Sequence, residues 1–239
     1  MPGNFSTQSP LLRRLRRATV AALAAGLLAG SLAPSQPQLA EKARRPPEFS
    51  LPNPRVKGRI SLEEALAKRR SIRQFSPQGL SMADCGQLMW AAQGITDGVR
   101  GLRTAPSAGA TYPLEIYLVG PDGVFRYIPQ GHRLNRLSNE DLRRTLSVAA
   151  VGQTCVSDAA LDIVIATVLS RTQGKYRDRA ERYVLMEAGH AAQNVLLQAT
   201  AMGLGAVPVG AFDDQQVKQV LGLPNDEQPQ YIISVGHPR

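Results

Sequence analysis

The hydrophobic positions fall into two kinds of run. Short, dense runs rich in β-branched and aromatic residues predict strands at "LEIYLV" (114–119), "GVFRYI" (123–128), "LDIVIATV" (161–168), "GAVPV" (205–209) and "YIISVG" (231–236). Pro121-Asp122-Gly123 joins the first two as a hairpin. The 161–168 run is apolar and β-branched, as a central strand buried on both faces should be. Helical spacing marks the others. Ser61 followed by Glu64 is a capping box opening "LEEALAKRR", and Ser81 with Asp84 opens "MADCGQLMWAAQG", which stops at Gly94. Ser138 is placed to cap a helix over "NEDLRRTLSVAAVG". The longest pattern covers about 177–202 and ends at Gly203. It is apolar around most of its girth beyond Tyr183, so several neighbours must cover it. Ala188, Gly189, Ala191 and Ala192 give it a small-residue face for close helix approach, and a short helix, "DQQVKQVLG", precedes the last strand. No internal repeat is present. The class is α+β: a mostly antiparallel central sheet surrounded by helices.

The first sixty residues follow another rule. "RRLRRATVAALAAGLLAGSLA" places a basic block before an apolar run (18–33) and small residues, the order of a secretory signal. Ser31-Leu32-Ala33 resembles a cleavage triplet, though Pro34 hinders cutting there; Gln38-Leu39-Ala40 is the second choice. Residues 1–40 therefore read as a signal peptide or an uncleaved membrane anchor, with an Ala-rich leader and a cytoplasmic protein as the alternative. The paired arginines weakly suggest twin-arginine export. Proline and charge mark an extended linker over 41–60, and the folded domain spans 61–239.

Composition narrows the function. The 239 residues, 43% hydrophobic, suffice for one cored domain. Of the net charge of +9, the leader's Arg13, Arg14, Arg16 and Arg17 supply four, leaving +5 for the rest. With aromatics at only 5%, and no helix-turn-helix or zinc spacing, nucleic-acid binding is not indicated. Cys85 and Cys155 are far apart, with no CxxC or Cys/His spacing, so neither a disulfide framework nor a metal site is expected.

Three segments carry candidate chemistry. In "AKRRSIRQF", Arg69, Arg70 and Arg73 offer bidentate donors for phosphate and Ser71 adds a hydroxyl. Basic residues at a helix end also complement its dipole, which accounts for Lys68 and Arg69 better than for Arg70 and Arg73. In "RTAPSAGATYPLEIYLV", Pro106, Ser107, Ala108 and Gly109 form a turn entering a strand, where small residues let backbone approach a flat ligand. An ordinary turn has the same composition. At the chain end, "SVGHPR", His237 and Arg239 lie beyond a strand end, where ligands often bind and where termini often fray.

Together these segments resemble the nitroreductase superfamily, and within it the SagB/ThcOx-type dehydrogenase branch. "RRSIRQF", "APSAGATYPLEIYLV", "ERYVLMEAGHAAQNVLLQATAMGLGAVPVGAF" and "VGHP" carry the resemblance from about residue 60 onward. It implies FMN at the interface of an intertwined homodimer. Arg69, Arg70, Ser71 and Arg73 would hold the phosphate and ribityl chain. Pro106, Ser107, Ala108 and Gly109 would lie along the flavin ring, with Val209 and Gly210 on its other side. His237 and Arg239 would complete the phosphate site. In azoline-oxidising members a Lys-Tyr pair removes a proton while the flavin accepts hydride, and Lys175-Tyr176 matches it. On its own that pair reads equally as an exposed dipeptide at a helix start. His190, four residues before Asn194, reads as a helix–helix polar contact, His132 as a loop residue and Trp90 as core.

The function that follows is transfer of hydride between flavin and a small organic or peptide-derived substrate. The alternatives are an NAD(P)H-dependent nitro or quinone reductase and a non-catalytic flavin-binding scaffold. Membrane contact is expected only through the leader.

Overall fold

The computed structural model describes residues 47–239. The leader (1–40) and the start of the linker (41–46) lie outside the described residues. In chain order the elements are β1 (Glu48–Ser50), α1 (Leu62–Lys68), α2 (Met82–Gln93), β2 (Ile95–Asp97), β3 (Leu102–Arg103), β4 (Leu114–Gly120), β5 (Gly123–Ile128), β6 (Arg133–Ser138), α3 (Arg143–Ala149), α4 (Thr154–Asp158), β7 (Leu161–Val168), α5 (Leu169–Tyr176), α6 (Ala180–Ala201), β8 (Gly205–Val209), α7 (Asp214–Leu221) and β9 (Glu227–Gly236).

Seven strands form one sheet in the order β1-β6-β5-β4-β7-β9-β8, with every neighbouring pair antiparallel. β2 and β3 make a separate ribbon. β7 lies in the interior of the sheet between β4 and β9, and all eight of its residues are buried. The period-two rule then splits the core. Ile116, Leu118, Ile163, Ile165 and Ile233 pack on one face with Met89, Ala191 and Val195 of α2 and α6. Tyr117, Val119, Val164 and Ile232 face the other way, onto Leu146, Val156 and Val217 of α3, α4 and α7. Each such side chain contributes about 1.5–3 kcal/mol by leaving water.

Several expectations need correction. Ser138 does not cap α3. It ends β6, a strand that the charged stretch "RLNRLS" does not advertise, and its hydroxyl accepts from the Glu140 amide at 3.1 Å. α3 begins at Arg143 with no side-chain cap. Nor is the linker wholly extended coil: Glu48–Ser50 pairs with β6, and the Gln87 side chain accepts from the Arg55 amide at 2.8 Å while donating to the Arg55 carbonyl at 3.1 Å. The long helix starts at Ala180, after a 3-10 turn over Arg177–Arg179. Its Ala188, Ala191 and Ala192 are buried, as a small-residue face requires. His190, however, is exposed and makes no side-chain hydrogen bond among the described residues, whereas Asn194 donates to the Thr104 carbonyl at 3.3 Å. Trp90 is only half-buried. His132 is a fixed loop residue, bonded to the Tyr127 hydroxyl at 2.9 Å and the Pro52 carbonyl at 3.1 Å. Both cysteines are free and buried. No described helix is long and apolar enough to cross a membrane.

Candidate active site

The first group of site residues gathers where the chain enters β4. Ser107 is extended, Ala108–Ala110 form one 3-10 turn, and Gly109 adopts left-handed backbone at φ 60°. Ala110 and Tyr112 are left-handed as well, at φ 55° and 45°. Non-glycine residues rarely take this conformation unless surroundings enforce it. Here two bonds do so: the Tyr112 amide donates to the Ser107 hydroxyl at 2.9 Å, and the Thr111 and Thr172 hydroxyls lie 2.9 Å apart. Pro106 and Gly109 stay exposed, so the outer surface of the turn is open to a ligand.

Lys175 and Tyr176 stand against this turn. They close α5 and do not open a helix, contrary to expectation. The Lys175 ammonium donates to the Gly109 carbonyl at 3.4 Å, and the Tyr176 ring packs edge-on against Tyr183 of α6 with centroids 4.9 Å apart. Positions 66 residues apart in sequence thus share one small surface, with an acid/base-capable pair beside the one residue of the turn that has no side chain.

Beneath the turn lies a polar cluster that sequence reasoning missed. Glu187 of α6, only 2% exposed, turns its carboxyl toward Ser107 and toward the fully buried Gln93 of α2. Arg103 donates to Gln93 Oε1 at 2.8 Å and stacks 4.2 Å above the Tyr112 ring. Burial pushes the Glu187 carboxyl up to about 7, against the opposing pull of Ser107, Arg103 and Gln93. Glu187 sits inside "LMEAGHAA", where an acid flanked by apolar residues on a long helix was the available signal.

The second group forms along the β8 edge. Ser71 bridges Ala206 in parallel, and the Ile72 amide donates to the Ala206 carbonyl at 3.0 Å. Phe75, 3% exposed, anchors the segment and bridges Pro238, while the Ser76 amide donates to the His237 carbonyl at 2.8 Å and the Arg239 amide to the Gln74 carbonyl at 3.2 Å. The "RRSIR" and "HPR" segments therefore do run side by side. Val209 is buried at the end of β8, with Gly210 exposed just beyond. Arg70 has local partners. It folds back onto the carbonyls of Ala67 and Arg69 at 3.0 and 2.7 Å, capping α1. Lys68 pairs with Glu64 at 2.6 Å. Among the described residues, Arg69, Arg73 and Arg239 make no ion pair, so they remain available to an anion. Arg239 also lines a cleft of about 370 Å³ shared with Arg143 and Pro121.

The two groups are not adjacent within one chain. β4 and β8 stand three strand spacings apart, about 14 Å. A cleft of about 830 Å³ between residues 55–60 and the ends of α2 and α6 contains none of the expected site residues.

A left-handed turn, a Lys-Tyr pair on its flank and a basic edge segment mark the candidate site of this seven-stranded α+β fold. The description "Nitroreductase family" matches residues 66–237, and the chain belongs to that family. It is 44% identical over 183 residues to the putative nitroreductase MJ1384 of Methanocaldococcus jannaschii, covering 74% of this chain and 91% of that protein. A crystal structure of a putative nitroreductase from Ralstonia eutropha superposes with a TM-score of 0.74 at 32% identity, over 82% of this chain and 94% of the other. The FMN reductase (NADPH) of Bacillus subtilis is 25% identical over 189 residues, covering 73% of this chain and 65% of that enzyme.

Proposed function

We propose that the protein is an FMN-dependent oxidoreductase of the SagB-type dehydrogenase branch, in which Lys175 and Tyr176 exchange a proton with the substrate. When bound, the flavin supplies hydride transfer. The observation carrying this reading is the seating of Lys175 and Tyr176 on Gly109, at the turn expected to lie along the flavin ring. The residues present fit such a cofactor. Arg69, Arg73 and Arg239 make no ion pair among the described residues, and the absence of a side chain at 109 lets Lys175 and Tyr176 reach the backbone of the turn. Because the basic segment lies beyond β8 at Ala206, level with the end of β4, while the turn enters the start of β4, a homodimer that brings the partner's turn to this edge would complete the site. Export through residues 1–40 is part of the same proposal, and it favours an organic substrate with oxygen as electron acceptor over a nicotinamide donor.

The named relative favours a second reading: the Bacillus subtilis enzyme is an FMN reductase using NADPH, so NADPH would reduce the flavin here and a nitro or quinone compound would oxidise it. One titration separates the two. Purified protein reconstituted with FMN should show a bound-flavin spectrum and elute as a dimer. Addition of NADPH without oxygen should leave that spectrum unbleached under the dehydrogenase reading and bleach it under the reductase reading. Protein that takes up no FMN ends both.

A further inference from the structure

Two buried polar groups under the turn are left incompletely paired. Glu187 Oε1 and Gln93 Nε2 have no hydrogen-bond partner, although their side chains face each other and are 2% and 0% exposed. Arg103, the cation beside them, has no carboxylate within ion-pair distance among the described residues. Native interiors seldom leave such atoms orphaned, and each needs an explanation. A structural salt bridge would have brought Glu187 onto Arg103; the arrangement stops short of one. A proton-exchanging carboxyl accounts for it, because neither the neutral nor the charged form is fully matched. Gln93 and Arg103 also line a cavity of about 230 Å³, which has room for the waters that would carry the proton.

Ser107 links this cluster to the surface of the turn. Its oxygen already accepts the Tyr112 amide hydrogen at 2.9 Å, which leaves one hydroxyl hydrogen to give. We infer that Glu187 is a positioning residue for the turn, its protonation state deciding whether the Ser107 hydroxyl donates inward to the carboxylate or outward to the ligand that the turn holds. An ionised Glu187 accepts the Ser107 hydrogen. A protonated Glu187 donates to the second lone pair of Ser107, and the Ser107 hydrogen is released toward the ligand. The groups facing Glu187 are Gln93 from α2, Arg103 from β3, and Ser107 from the turn, with Tyr112 under Arg103. Glu115 and Arg171 act in turn on Arg103. The Glu187 carboxyl itself lies at about 7.

The inference rests on the flavin reading of the turn, and the test separates the two. Riboflavin is the probe, because it lacks the phosphate whose own ionisation would confuse a pH series. Wild-type protein should bind riboflavin roughly 3–10-fold more weakly at pH 8 than at pH 6, the equivalent of one ordinary hydrogen bond. Glu187→Gln should flatten that profile. Infrared spectra of the flavin-free protein should show a carboxyl C=O band that fades with a midpoint near pH 7 and is missing from Glu187→Gln. Ser107→Ala, which keeps the buried carboxyl but removes a group that lowers it, should flatten the riboflavin profile and keep the band, with its midpoint moved upward. A pH profile unchanged in both variants, or no carboxyl band titrating near pH 7, overturns the inference while the flavin reading stands. Wild-type protein that binds neither riboflavin nor FMN at any pH removes the flavin reading and this inference with it.

Discussion

A β-carbon at Gly109 would sit 2.5 Å from the Lys175 ammonium nitrogen and 2.7 Å from the Tyr176 hydroxyl. The turn and the end of α5 therefore meet only because position 109 has no side chain. Gly109→Ala adds left-handed strain of about 1–2 kcal/mol, and the clashing atoms are the ends of long side chains that can swing away. Thermal stability should fall modestly. Turnover should fall more, by tenfold or greater, because the relief comes from displacing Lys175 and Tyr176. Parallel unfolding and activity measurements check this; a loss of activity no larger than the loss of folded protein would contradict it.

If Lys175 and Tyr176 handle the proton, removing either should lower kcat while the cofactor stays bound. General acid/base groups typically contribute 10²–10⁴-fold. Lys175→Met and Tyr176→Phe should retain the FMN spectrum and lose at least 100-fold in kcat, in the range expected of such groups. The two together should lose little more than either alone, as groups acting as a unit do. Unchanged turnover with flavin still bound would reassign the pair to packing, and would favour the scaffold alternative.

How much of this was legible in the sequence depends on where the deciding force lies. The hairpin at Pro121-Asp122-Gly123 and the central strand 161–168 were readable because local turn chemistry and continuous burial set them. β6 was not, because its residues Arg133, Asn135 and Arg136 are held by pairing with β5 and β1, long-range partners that outweigh a weak local preference. The Ser138 cap failed for the same reason. The pairing of "RRSIR" with the chain end was legible only as resemblance; the β8 edge and the buried Phe75 bring them together. Glu187 escaped notice because its role comes from what surrounds it, and a single glutamate in a helix carries no sequence sign of burial.

The raised Glu187 carboxyl has a consequence for stability as well. An acid that titrates higher when folded than when unfolded favours the folded state at low pH and loses that contribution as pH rises through the folded value. Here the window runs from about 4.5 to about 7. At pH 8 the cost of keeping the buried charge is about 3 kcal/mol, reduced by whatever attraction Arg103 supplies. Glu187→Gln should therefore match wild type near pH 4.5 and exceed it in unfolding free energy by pH 8. Denaturant melts across that range measure the difference; a gap that shrinks with rising pH reverses the sign and refutes the argument.

Gly123 tests the sheet itself. It starts β5 at φ 123°, and a β-carbon there would lie 2.0 Å from the Ser138 carbonyl oxygen at the end of β6. That oxygen is backbone in a paired strand, so nothing flexible can yield. Gly123→Ala should cost 3 kcal/mol or more by strain and overpacking, on the order of the largest single-residue effects, and should reduce soluble yield. A melting temperature within a few degrees of wild type would show that the β5–β6 register can shift to make room.

Asp162 is the sharper probe of the core, because it is fully buried in the central strand with one oxygen unpaired. The Ser234 hydroxyl donates to its Oδ1 at 2.6 Å, and Oδ2 has no partner. Burial drives the carboxyl well above its ordinary value, far more than the Ser234 bond or the nearby Arg143 can offset. The proton-bearing form is the one that fits, so the residue acts as a buried hydrogen-bond acceptor and its negative charge is a liability. Asp162→Asn keeps an acceptor for Ser234 without any charge to bury. It should match wild type only below the ordinary carboxylate value of 3.8, where the unfolded chain is neutral too, and gain on it as pH rises above that until pH passes the folded value. Asp162→Ala removes the acceptor, strands the Ser234 hydroxyl and opens a small cavity, at a cost of about 2–4 kcal/mol. Chemical denaturation of both variants at pH 5, 7 and 9 decides the point. If Asp162→Asn is as damaging as Asp162→Ala at every pH, the carboxylate is held charged by Arg143 and the neutral reading of this position is wrong.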